Sequence, residues 1–319
     1  ILASVALLAA VSITLALFQG TPATVAPPAK ATAPFDAAQA GDLQVAWAKH
    51  QKIPVRLKNS LGMELVLVPP GESEGQRLKI GSPFLMSRLE VAREDFDRVL
   101  GRGEPESAAA WKRLPVSRVA WHEALEFCRR LSDLPAERQA GRWYSLPTAA
   151  EWEWACRAGT KTVYHFGDTL TPGQANYGGS LNGKGEIATA PNKPVKVGSY
   201  PRNPWGLHDM HGNVWEWCLD SSRKYEKSDR AIEDPKGEVG VGHRIIRGGS
   251  WDHNSAWSCR SALRVGWLIS TRSPAVGFRV LCERPGNLHP VLRYEMEKHP
   301  DTAVAFNGRW YAFVPEKAK

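Results

Sequence analysis

The chain has 319 residues with 43% hydrophobic and 23% charged content, which is enough apolar material for a real core and the wrong composition for a disordered or low-complexity polymer. The formal net charge is +8, but Lys and Arg stand in ones and twos among Asp and Glu; with no basic run to track phosphates, this argues against nucleic-acid binding and for a solvated basic surface. Five Cys without a CxxC pair exclude a zinc ribbon, and 13 Trp with 28 Gly and 23 Pro point to a loop-rich fold in which large rings fill space.

Residues 1–18, "ILASVALLAAVSITLALF", carry no charge and have about the length of a spanning helix. Residues 1–20 therefore read as a signal peptide or membrane anchor, which implies a periplasmic or otherwise extracytoplasmic protein; no Cys follows, against a lipoprotein. The Pro- and Ala-rich stretch 21–45 reads as an extended, flexible linker, leaving a folded body over 46–284.

In the body, "GMELVLVPPGE" at 62–72 predicts a strand closed by a Pro-Pro-Gly turn. "RVAWHEALEFCRRLS" sets Ala124, Cys128 and Leu131 on one helical stripe, so Cys128 points inward. In "LPTAAEWEWACRAGT", Thr148 and Glu151 form a capping box and Gly159 ends a helix that carries Trp152, Ala155 and Cys156 on one face. From 160 to 282 only short strand candidates appear between Gly, Asn and Pro; irregular backbone of that length needs pins, and bound ions, disulfides or stacked Trp are available. A C-terminal extension, 285–319, contains "TAVAFNGRWYAFV", a hairpin signal with Asn307-Gly308 as a type I′ turn.

The ordered series "GMELVLVPPGE", "PVSRVAWHEALEFC", "WYSLPTAAEWEWACRAGT", "YHFGD", "QANY", "VGSYPRNPWGLHDMHGNVWEWCLD", "RGGSW", "CRSALR" and "GFRV" closely resembles the formylglycine-generating enzymes, or sulfatase-modifying factors. The resemblance implies one compact α/β domain, mixed and loop-rich, with a C-type-lectin-like fold. Well-characterised members oxidise a substrate cysteine to formylglycine with two copper(I)-binding cysteines placed between "RGGSW" and "CxxxR", soft thiolates being suited to that ion. Here the interval is "DHNSAWS" and holds no cysteine, so the frame is kept and the thiol chemistry is gone.

The same resemblance implies disulfides Cys156–Cys259 and Cys128–Cys282, with Cys218 as a buried apolar side chain. It implies a structural calcium site from Asp209, Gly212, Val214 and Glu216, hard oxygen ligands on a loop, and a second beginning at Asn176 and Tyr177 with Glu186 as the nearby acid. His208, Asp209, His211, Asp252 and His253 contain the ligand types of an iron site but no HxxxH on a helix, and no G-x-S-x-G marks a serine nucleophile. Trp251, Asp252, His253, Trp257 and Arg260 line the family's substrate groove, and Trp and Arg are the types that anchor partner peptides.

Two functions fit. One is an exported, non-catalytic module that binds an envelope protein or peptide, such as the extracytoplasmic part of a membrane kinase in type VI secretion control. The other is a cofactor-dependent periplasmic oxidase of the siderophore-maturation kind, which also lacks the cysteine pair. Calcium is the expected cofactor; copper and iron are not.

Overall fold

The structure, a computed structural model, describes residues 26–73, 78–102, 109–178, 191–221, 232–233, 242–253 and 255–283, together with the paired backbone of 303–306 and 309–312. In chain order the elements are β1 (Ala31–Ala33), α1 (Ala37–Gln51), β2 (Arg56–Lys58), β3 (Glu64–Val68), β4 (Gly71–Ser73), β5 (Leu78–Ile80), β6 (Phe84–Ser87), α2 (Arg93–Leu100) and α3 (Ala109–Lys112). They continue with α4 (Trp121–Asp133), α5 (Pro135–Gln139), β7 (Trp143–Ser145), α6 (Ala149–Arg157), β8 (Trp215–Ser221), β9 (Ile232–Glu233), β10 (His243–Arg247), a 3-10 turn (Ala256–Cys259) and β11 (Val265–Leu268). Short strands β12 (Val276–Gly277) and β13 (Leu281–Glu283) precede the hairpin β14 (Ala303–Phe306) and β15 (Arg309–Ala312).

One sheet runs β2-β3-β6-β13-β7 and a second runs β11-β10-β8-β12. β3 reads ELVLV because it is covered on both faces: Leu65 and Leu67 join one apolar cluster, and Val66 and Val68 join the other. The period-2 alternation of a strand divides the run between two cores instead of between core and water. β8 is buried throughout in the same way, with Trp215, Trp217 and Leu219 on one side and Cys218 on the other.

The α4 stripe of Ala124, Cys128 and Leu131 is buried, joined by Phe127, whose ring stacks on Phe96 at 5.7 Å. α6 starts at the expected box, Glu151 N donating to Thr148 Oγ1 at 3.2 Å and Thr148 N to Glu151 Oε2 at 2.8 Å. Trp152, Ala155 and Cys156 enter the second cluster. At the C-terminus Phe306 pairs with Arg309, so the hairpin forms; Asn307 and Gly308 lie outside the described residues, as does 1–20.

The linker reading of 21–45 fails over its second half. β1 pairs in parallel with β4, and α1 is capped by Asp36, whose side chain accepts from Gln39 N. Ala40 and Trp47 are buried, and Gln44 Nε2 donates to the carbonyls of Leu67 at 2.7 Å and Trp205 at 3.0 Å. Alanine richness misleads here because Ala is also the strongest helix former, and a helix needs few large residues to dock. No helix among the described residues is long and apolar enough to cross a membrane.

The described parts of the irregular stretch, 160–178 and 191–214, are pinned by buried amide and carboxylate side chains. Asn203 Nδ2 donates to Ala155 O at 2.7 Å while its Oδ1 accepts from Leu207 N at 3.1 Å, and Asn213 and Asp209 do the same for neighbouring turns. Each bond replaces a backbone ladder that the loop lacks.

Candidate functional site

The strand β8 and the segment between β12 and β13 bring Glu216 and Arg279 together at the centre of the domain. Arg279 Nε and Nη2 donate to the two Glu216 oxygens at 2.6 and 2.7 Å, and Trp152 Nε1 from α6 adds a third bond at 2.6 Å. Burial alone would lower the Arg279 pKa, but the facing Glu216 carboxylate, helped by Glu90 and Asp209, outweighs it and holds the guanidinium above its ordinary value. Glu90 sits in the same network, accepting from Asn213 Nδ2 at 2.7 Å and Val214 N at 3.2 Å. Burial, reinforced by Asp209 and Glu216, pushes its pKa well above the usual carboxylate range. Asp209 adopts φ +55° and takes the backbone N–H groups of Gly198 and Tyr200; burial pushes it up to about 6 against those bonds.

This arrangement bears on the expected calcium set. Glu216 turns both oxygens to Arg279 and Trp152, and Asp209 turns both of its own to backbone donors. Gly212, at φ +79°, and Val214 serve the backbone of the same network: a Cβ on Gly212 would lie 2.2 Å from Asn176 O, which itself accepts from Asn213 N at 2.7 Å. Among the described residues no three His, Cys, Asp or Glu side chains converge on a point that suits a metal. The Asp209–Glu216 set is a completed hydrogen-bond network with its own internal cation, and it does not fit calcium. The second set differs. Asn176 Nδ2 donates to Lys193 O at 3.0 Å, yet its Oδ1 is buried with no partner, and a lone hard oxygen suits a calcium shell. Tyr177 is buried beside it, and Glu186 lies outside the described residues.

The groove residues gather on one loop after β10. Arg247 anchors its start, Nη2 donating to Ala149 O at 3.0 Å and to Glu153 Oε2 at 2.6 Å. Gly249 follows at φ +78°, where a Cβ would come within 2.6 Å of Cys259 Sγ, so the two strands of the loop close only over a glycine. Trp251 N donates to Asn213 O, tying the loop to the buried network. His253 Nδ1 lies 2.9 Å from Asp252 Oδ1 and 3.0 Å from Ser250 Oγ, with the ring edge-on to Trp215 at 5.5 Å. Trp257 is 56% exposed and carries the Arg260 guanidinium 4.3 Å over its ring. The loop therefore offers an aromatic–cation pair and an acid–imidazole pair to solvent.

Neither expected disulfide is present: all five cysteines are free thiols. Cys156 Sγ stands 3.8 Å from His211 Nε2 and 3.7 Å from Ser261 Oγ, while Cys259 Sγ stands 3.8 Å from Ser258 Oγ, so each thiol has its own polar neighbours. Cys128 and Cys282 pack into the first apolar cluster and Cys218 into the second. Burial pushes Cys156, Cys259 and Cys282 up to about 12, which keeps them protonated and poor as nucleophiles or soft-metal ligands.

The histidines are also separated by their bonds. His208 bridges Tyr200 O at 2.8 Å and Arg88 at 3.0 Å, and His211 Nδ1 meets Cys259 O at 2.7 Å. Burial lowers His211 to about 4. His253 remains on the exposed loop, so the structure does not assemble these three with Asp209 and Asp252.

Two contributors escaped the reading of the residues. Arg279 stood inside the quoted "GFRV", yet nothing local marks a buried arginine; Glu90, in "RLEVARED", shows only as an acid before an apolar residue.

The family profile for the sulfatase-modifying factor enzyme 1-like domain matches residues 56–284. The formylglycine-generating enzyme of Streptomyces coelicolor is 35% identical over 177 residues, 52% of this chain and 51% of that one. The inactive C-alpha-formylglycine-generating enzyme 2 of Bos taurus is 31% identical over 172 residues, 52% of this chain and 49% of the relative. The chain thus spans about half the length of these curated relatives. Among solved structures, variable protein 1 of Treponema denticola superposes with a TM-score of 0.56 at 25% identity, covering 73% of this chain and 100% of that one. The mixed α/β, loop-rich, C-type-lectin-like architecture is common to this chain and these neighbours.

Proposed function

The chain belongs to the sulfatase-modifying factor enzyme 1-like family, and on that footing we propose that it is a non-catalytic member whose Trp251–Arg260 loop binds a peptide or protein in the bacterial envelope. One observation carries the reading: the interval "DHNSAWS" holds no cysteine and instead presents Trp257 under Arg260. Relatives of near-equal similarity are named active and inactive, so overall likeness does not choose between them. The soft thiolates that copper(I) chemistry needs are what the interval lacks. The uncharged run 1–18 supports an extracytoplasmic location, where the partner is an envelope protein, a membrane kinase's outer part included. A structural calcium ion on Asn176 Oδ1 completes the reading, since that atom is buried and unpartnered.

The test has two arms. A cysteine-containing sulfatase-type peptide with copper(I) and oxygen keeps its mass, while binding to an array of envelope-protein peptides weakens about tenfold or more in Trp257→Ala. Oxidation of the peptide cysteine, or equal binding by the variant, defeats the proposal. For calcium, chelation lowers the melting temperature of the wild type and not of Asn176→Ala; an unchanged wild type defeats the ion.

A further inference from the structure

The 3-10 turn Ala256–Cys259 uses its polar groups to hold its own shape. Ser255 Oγ accepts from Trp257 N at 3.2 Å, Ser258 Oγ donates to Ser255 O at 2.9 Å, and Tyr164 OH donates to Ala256 O at 2.8 Å. His211 Nδ1 meets Cys259 O at 2.7 Å, and Arg260 N donates to Trp257 O at 3.5 Å. The backbone that carries Trp257 and Arg260 is therefore preorganised, which removes part of the ordering cost of binding. The acid of the loop is occupied as well, since Asp252 accepts from Ser250 Oγ and faces His253 Nδ1 at 2.9 Å. The Arg260 guanidinium is not. It lies partly exposed, 4.3 Å over the Trp257 ring, and donates to no carboxylate or carbonyl among the described residues. Stacking restrains the planar fork while its N–H groups stay without an acceptor. Apolar surface stands beside it: of the four large apolar side chains exposed among the described residues, Trp257 is under the guanidinium and Val163 is tied next to it, Ser261 N donating to Val163 O at 3.0 Å.

We propose that Arg260 and Trp257 form an acid-reading subsite: the peptide recognised by this loop carries a Glu or Asp side chain, its carboxylate held by the guanidinium fork and an adjoining apolar residue against Trp257 and Val163. The proposal rests on the reading of the loop as a peptide-binding surface and adds the chemistry of the peptide. A planar guanidinium matches a carboxylate through two parallel N–H···O bonds. A chain's terminal carboxylate is the other source of the same group, and it is captured by open backbone N–H groups. Here the N–H groups of Trp257, Ser258 and Arg260 are all taken within the turn, which favours a side-chain carboxylate. The net charge of +8 adds long-range attraction for an acidic partner.

The test exposes the full chain to an array of random-sequence heptapeptides, each printed with a free and with an amidated C-terminus. Bound peptides are expected to be enriched in Glu and Asp with either terminus. In the tightest binders, resynthesised for titration, Glu→Gln or Asp→Asn weakens binding roughly tenfold or more, the worth of a charged hydrogen bond. Arg260→Gln makes acid and amide peptides equal, whereas Arg118→Gln, at an exposed arginine outside the loop, leaves the preference in place. Trp257→Ala weakens every bound peptide, which reads the loop itself. Peptides that bind through Trp257 without an acid preference overturn the subsite and leave the loop reading standing. So does a preference that needs the free C-terminus, survives Arg260→Gln, or falls as far with Arg118→Gln. Absence of any Trp257-dependent binding overturns both. Should Arg260→Gln fail to fold by near-ultraviolet circular dichroism, Arg260→Lys takes its place; it keeps the charge, loses the fork, and is expected to retain only part of the preference.

Discussion

In the buried centre Arg279 and Glu216 are withdrawn from water and consume each other's charge, whereas on the Trp251–Arg260 loop the polar groups of Asp252, His253 and Arg260 stay at the surface. The two regions are joined, since Trp251 N bonds to Asn213 O and His253 packs on Trp215. The difference teaches where each kind of polar group acts. A buried pair whose partners are complete fixes the shape of the frame, and a loop whose polar groups face solvent is free to recognise something else.

The sharpest way to break the comparison is Arg279→Met. It leaves the Glu216 carboxylate and Trp152 facing a charge without its counter-ion, and a loss of about 3–5 kcal/mol is expected in denaturant unfolding. A loss below 1 kcal/mol would mean that the centre is not the brace described here. Gly249→Ala probes the junction between the two regions. Its positive φ and the 2.6 Å approach to Cys259 Sγ predict a loss of about 1–3 kcal/mol, with the loop's near-ultraviolet Trp signal changed.

His165→Phe tests a buried imidazole that stacks on His211 at 4.8 Å and has no partner for either ring nitrogen. Burial lowers its pKa from 6.5 to about 2, with His211 adding to the shift. Below pH 6.5 the unfolded chain therefore takes up a proton that the folded chain refuses, and stability falls as the pH falls from 6.5 toward 2. The Phe variant is expected to gain about 1–2 kcal/mol at neutral pH and to lose less than the wild type at pH 5 by thermal melting. Trp257→Ala is the smallest in stability, within about 0.5 kcal/mol, because the ring is largely in solvent. A large loss would show that Trp257 belongs to the frame and not to a recognition surface.

Much of the frame was legible in single residues. The Thr148–Glu151 box, the Ala124–Cys128–Leu131 stripe and the strand at Glu64–Val68 are local patterns, each fixed by spacing along one element. The loop was singled out through resemblance, and within it the Arg260 guanidinium does lie over the Trp257 ring. The disulfides were not, because a cysteine's pairing depends on where two distant elements place their sulfurs; here Cys156 and Cys259 come near enough to act on each other, yet both stand as free thiols. The linker misled for a related reason: whether an Ala-rich segment stays free depends on the surface it can dock on, and Gln44 and Trp47 find one.

By itself, then, the sequence determined where helices start, which strand is apolar throughout, and that the interval before Cys259 holds no thiol, since these are properties of adjacent residues. Only the tertiary structure decided that Arg279 neutralises Glu216 and that Asp209 serves backbone donors. Charge compensation in a core is settled by which distant side chains meet under low dielectric, and no spacing along the chain encodes that meeting.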